Sequence, residues 1–181
     1  PRVEQHVAAS TWHLQQTFEK CIKPNLASLG YRVLSLMVER LETRHATFTL
    51  WGKASAAWDS DSYGRSAIEP HEQDKYPEAL DVIIDAARDA IAWVSEHDGP
   101  ALGIWCERLI GARAPLLRRI AVYASSRNSL LSASERIDWL LSHVNIHDVP
   151  LRHEIYMFMK YSYPTAKEIQ QKSVIESVMS Y

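Results

Sequence analysis

The chain is expected to be all α. Apolar residues recur at helical spacing along most of its length, and no stretch alternates apolar and polar residues with period two. Prolines, glycines and two Ser/Thr-x-x-Glu patterns interrupt the apolar stripes at helix-length intervals.

Val3, Val7, Leu14, Phe18, Cys21 and Ile22 form the first stripe, with Trp12 beside it. Pro24 ends or kinks that helix, because it lacks an amide donor and its ring crowds the preceding turn. Leu26, Leu29, Val33, Leu36, Met37 and Leu41 form a second stripe reaching Phe48 or Trp51. Gly30 costs about 1 kcal/mol in a helix interior, so a start just after it is the alternative. Residues 1–51 are thus an N-terminal helical pair. Residues 52–76 lose the period, and Gly52, Gly64 and Pro70 mark a long connector. Trp58, Tyr63 and Ile68 imply that it folds back onto the helices.

Order resumes over residues 77–181. Pro77 suits a first helical turn, and Leu80, Ile83, Ile84, Ala87, Ile91 and Val94 form a face ended by Gly99-Pro100. Leu102, Trp105, Leu109 and Ile110 mark the next helix, and Pro115 opens one with Leu116, Leu117, Ile120 and Tyr123. Ser132 to Glu135 reads as a capping box, ahead of Ile137, Leu140 and Leu141. Pro150 opens a helix through Leu151, Ile155, Phe158 and Met159. Thr165 to Glu168 reads as a second box, ahead of Ile169, Val174 and Val178.

Superposing Pro115 on Pro150, an offset of 35 residues, brings Leu116 onto Leu151, Ile120 onto Ile155 and Tyr123 onto Phe158. Helix pairs repeating at this period predict stacked antiparallel pairs, an α-solenoid-like arrangement resembling HEAT repeats over residues 100–181. An irregular helical bundle is the alternative. The strings Arg65 to Asp74 and Asp81 to Asp89, with Leu117-Arg-Arg-Ile120, resemble a helical region of large bacterial multidomain proteins. Some of those carry sirtuin-like or nucleotide-binding modules and are associated with phage defence. The resemblance implies a scaffold or sensor whose effector lies elsewhere. No sirtuin-like or nucleotide-binding motif stands in this chain itself.

Composition excludes little but points one way. The 181 residues carry 20 Lys and Arg against 22 Asp and Glu, so bulk charge gives no reason to expect nucleic acid or membrane as partner. No apolar run approaches the ~20 residues of a membrane helix. Cys21 and Cys106 are the only cysteines, which fits reduced thiols in a cytoplasmic protein. The first residue is Pro, and the chain is read as a piece of a longer polypeptide.

The densest polar stretch is RSAIEPHEQD, with Arg65, Ser66, Glu69, His71, Glu72 and Asp74. His71-Glu72 begins like a zinc-protease motif, but position 75 is Lys where the second His is required. Glu69, Glu72 and Asp74 are expected to cap the helix after Pro77 and to pair with Arg65 or Arg88. Asp81, Asp85 and Asp89 recur at i+4 and repel unless a cation faces them, Arg88 from within the chain or a Mg²⁺ ion or basic partner from outside; a solvated helix face is the plainer reading. His143 and His147, with Asp148, His153 and Glu154 nearby, would face one way on a continuous helix and could hold a metal, but Asn145, Asp148 and Pro150 turn the chain in that interval, so no metal site is expected. Arg113, Arg118, Arg119 and Arg127 are the one candidate basic cluster.

The reading is a helical-repeat scaffold or sensor that works by contact with a protein partner or with flanking domains of its own chain. No cofactor or catalytic residue is expected. The candidate polar site is Arg65, His71, Glu72, Asp74, Asp85, Arg88 and Asp89. Two alternatives stand beside it: an enzyme fragment whose site includes residues 65–89, and a nucleic-acid contact through the arginine cluster.

Overall fold

Helices α1 (Thr11–Thr17) and α2 (Leu26–Leu50) are one interrupted rod. A computed structural model describes residues 9–74 and 76–180, so Val3 and Val7 of the first stripe lie outside the described residues. Between the two helices the chain makes a π turn over Phe18–Ile22 and a 3-10 turn over Lys23–Asn25. Pro24 sits inside the tighter turn, where its missing amide matters least. Contrary to the alternative start, α2 runs straight through Gly30. The glycine is there for closeness: a Cβ would lie 2.5 Å from Cε3 of Trp93 on the neighbouring helix.

That neighbour is α4 (Ala79–His97), which packs along α2 and buries Val82, Ile84, Ala87, Ile91 and Val94 against Val33, Leu34, Val38 and Leu41. Its start differs from expectation. Glu78 is the N-cap and exchanges bonds with Asp81 in a capping box, so Pro77 precedes the helix. After α5 (Gly99–Ile110) comes α6 (Pro115–Ser126), which is buried around most of its circumference. It touches α2, α4 and α5 as well as α3 (Ser60–Gly64), α7 (Ala133–His143) and α8 (Arg152–Ser162).

Among the last four helices α6 meets α7 and α8, and α7 meets α8 and α9 (Glu168–Met179). The fold is all α, and no strand occurs among the described residues. In a solenoid each repeat contacts only its neighbours. Here α6 also gathers the N-terminal helices about itself, as in a bundle. One core therefore runs from Phe18 to Ala124, and a second, around Ile137, Leu140, Ile155 and Phe158, joins it through Trp139 and Ile110.

Ser132 and Glu135 form the expected box. The second box does not form. Tyr163–Thr165 closes as a 3-10 turn around Pro164, and Ala166 and Lys167 are extended, so α9 begins only at Glu168. Ser134 Oγ on α7 accepts the Lys167 amide at 2.9 Å and holds that extended entry in place.

Candidate functional site: an arginine-clamped connector and its cleft

The connector is held down by arginines from three directions. Arg44 on α2 forks onto Asp61, with Nε to Oδ2 at 2.5 Å and Nη2 to Oδ1 at 3.0 Å. Arg118 on α6 donates to the Ala56 carbonyl at 2.5 Å and to Asp148 at 3.1 Å. Arg119, one residue on, points the other way into the interior, where its side chain is 4% exposed. Nε and Nη2 each donate to Glu154 on α8 at 2.9 Å. Nη1 donates to the carbonyls of Ser62 and Arg65, and Nη2 also to that of Ser66. A guanidinium has five N–H donors, and all five are used. Glu154 in turn accepts the Ile68 amide through Oε1 at 3.2 Å.

A second hub is Arg65 itself, the first residue of RSAIEPHEQD. Arg65 is buried; it donates to the Ala67 carbonyl at 2.8 Å, to Asp81 at 3.0 Å and to Asp85 at 2.6 Å. Arg88 donates to the same Asp85 oxygen at 2.6 Å and pairs with Asp89, which also lies 3.0 Å from Lys23 Nζ. The i+4 carboxylates of α4 are thus faced by Arg65, Arg88 and Lys23, not simply by water. Burial still pushes the Asp85 carboxyl above the usual carboxylate range, with Arg88 and then Arg65 drawing it back. Asp74 accepts from the Ser66 and Ala67 amides and lies 3.5 Å from Arg65 Nε.

The expected polar site therefore divides. Arg65, Asp74, Asp85, Arg88 and Asp89 come together, with Asp81, as one ion-pair network. His71 and Glu72 stand outside it, both exposed. The expected caps on the helix after Pro77 are supplied by Glu78 and Asp81, while Asp74 caps its own loop. The arginine cluster also divides: Arg119 is buried, Arg118 is engaged, and Arg127 lies over the Tyr123 ring. Arg119 cannot reach a phosphate backbone without leaving Glu154. His143 ends α7, stacked on Trp139, and His147 Nε2 lies 3.2 Å from the Ser177 carbonyl oxygen, so the two imidazoles do not share one face. No cluster of three metal-ligating side chains occurs among the described residues.

Between the clamped connector and the start of α8 lies an open cleft of about 640 Å³. Trp58, Asp59, Tyr63 and His71 line the connector side, and Pro150, Arg152 and His153 line the α8 side, with Arg65 and Arg119 at the wall. Gln73 donates its amide to His71 Nδ1 at 3.2 Å, which leaves the ring N–H on Nε2. The His71 and His153 rings meet edge to face, 6.1 Å apart. Asp59 caps α3 by accepting the Ser62 amide at 2.5 Å, and burial raises its carboxyl above the ordinary range. Sequence reasoning singled out Arg65 and His71, weighed His153 only as a neighbour of His143 and His147, and missed Asp59 and Arg152. Only the clustering of Trp58, Tyr63 and the 65–74 stretch hinted at a pocket there.

Comparison of the chain with family models, with curated proteins and with solved structures finds no match.

Proposed function

We propose that the chain is a helical scaffold or sensor segment that works by surface contact with a protein partner or a flanking domain, not by bond chemistry. The observation that carries the reading is on α9. That helix buries only Val174, while Ile175, Val178 and Met179 stand at least half exposed at i, i+3 and i+4 spacing. Such an apolar stripe is the geometry by which one helix docks against another surface. The polar network supports the same reading, because its charges are consumed in holding the connector. The bacterial, phage-defence setting rests on the sequence resemblance alone, and the cytoplasmic one on the two cysteines. None of the described helices is long and apolar enough to cross a membrane.

Affinity isolation and cross-linking of the full-length protein from its own cells test the proposal. Wild type is compared with Ile175→Ser/Val178→Ser/Met179→Ser. Loss of a protein partner or of an interdomain cross-link, with unchanged melting temperature, is the expected result. Identical partners and cross-links would overturn it.

A further inference from the structure

We propose that the cleft between the connector and the start of α8 is a binding site for a mononucleotide, with the phosphate on Arg152 and the base on Trp58 or Tyr63. The inference goes beyond the contact surface on α9 and does not depend on it.

Size comes first. About 640 Å³ lies inside the range of roughly 300–1,000 Å³ typical of small-molecule sites. Charge comes next. Arg65, Arg119 and Arg152 line the cleft beside one acid, Asp59, but the side chains of Arg65 and Arg119 are 2% and 4% exposed and spent on the protein's own groups, so Arg152 is the guanidinium open to a ligand. The acids that balance Arg65 and Arg119 are Asp74, Asp81, Asp85 and Glu154, and none of these lines the cleft. Arg152 is different from the other two. It is exposed, and its guanidinium has no partner among the described residues. A free guanidinium fork in a cleft matches a phosphate in shape as well as charge. Arg152 is also the first residue of α8, where the helix dipole adds to the positive potential.

Asp59 Oδ2 and His153 Nε2 lie inside the wall, 3.9 Å from His45 Nε2 and 3.6 Å from Glu69 Oε1 respectively, and are too buried to meet a ligand directly. His71 Nε2–H offers a donor on the lip opposite Arg152. The aromatic rings supply the remaining requirement. Trp58 is 51% and Tyr63 82% exposed, and flat faces beside cations suit a base joined to a phosphate.

The test is calorimetric titration of the folded chain with AMP, GMP, CMP and UMP, and with adenosine and inorganic phosphate as partial probes. At least one mononucleotide should bind saturably, about tenfold or more tighter than adenosine or phosphate alone. Arg152→Ala and Trp58→Ala/Tyr63→Ala should each weaken it about tenfold or more. Both sites are exposed, so circular dichroism should show each variant folded. Absence of saturable binding by all four nucleotides at millimolar concentration would overturn the proposal. So would binding that survives Arg152→Ala unchanged.

Discussion

Arg119 and Glu154 form a buried, two-point ion pair that joins α6 to α8, and the same two side chains hold four backbone groups of the connector in place: the carbonyls of Ser62, Arg65 and Ser66 and the amide of Ile68. A buried pair of this kind gains little over a well-packed apolar pair, but halving it leaves a charge without a partner. Arg119→Ala or Glu154→Ala should therefore cost about 3–5 kcal/mol in a urea titration. Limited proteolysis should cut Arg119→Ala within residues 52–74 before any helix is lost. A cost under about 1 kcal/mol, the range of surface pairs, would mean that the pair is solvated.

Arg65 and His71 make a second, contrasting prediction within one polar stretch. Arg65→Ala removes bonds to Asp81, Asp85 and the Ala67 carbonyl and strands acids on α4, so a loss of at least about 1.5–3 kcal/mol is expected. His71→Ala removes an exposed ring and should stay within about 0.5 kcal/mol. Thermal denaturation of the two variants checks the order. Equal effects would contradict the division of the stretch into hub and cleft wall.

How far the sequence alone could reach depends on the distance of each contact along the chain. The helices, the Pro24 break and the Ser132 box were legible, because a stripe, a proline or a cap acts over one or two turns. Three acids at i+4 call for a cation, and Arg88 was legible as one. The solvated face expected for them was wrong, and Arg65 was not legible as their partner, because it comes from the connector 16 and 20 residues away. Arg119 was misread. Two adjacent arginines look alike in sequence, yet they point to different sides of α6, one to Asp148 and one to Glu154. Ile68 meets Glu154 across 86 residues of chain, and no local period encodes such a contact. The Thr165 box failed for a local reason of a different kind: the turn through Pro164 bonds Ala166 N to the Tyr163 carbonyl and leaves no place for a cap at Thr165.

Two glycines inside helices should respond to alanine with opposite signs. Gly103 lies within α5 and a Cβ there meets nothing within 4 Å, so Gly103→Ala should stabilise by about 0.8–1 kcal/mol through helix propensity. Gly30→Ala gains the same propensity but drives a methyl into Trp93, which also packs edge-on against Tyr31. Overpacking of that kind costs about 1–3 kcal/mol, so the net change should be zero or destabilising. Denaturant midpoints of the two variants decide it. A clear gain at Gly30 would mean that α2 and α4 do not pack this closely.

Asp59 provides the pH prediction. Its folded carboxyl titrates above the unfolded value of 3.8, chiefly because burial disfavours the charge; the Ser62 amide and His45, 3.9 Å away, pull it back only in part. A raised acid binds its proton more readily folded than unfolded. Its ionisation therefore weakens the fold, fully so at pH values above the folded pKa. As pH falls through that value the penalty is relieved, and below 3.8 it has gone. Asn is as good a helix cap as Asp and keeps the acceptor for the Ser62 amide while removing the charge. Asp59→Asn should then be more stable than wild type at neutral pH, and the gap should close as the pH is lowered toward 4. Urea titrations of both proteins across that range measure it directly. A variant less stable at pH 7, or a gap that widens in acid, would show that the Asp59 charge is held by a partner and contributes to the fold.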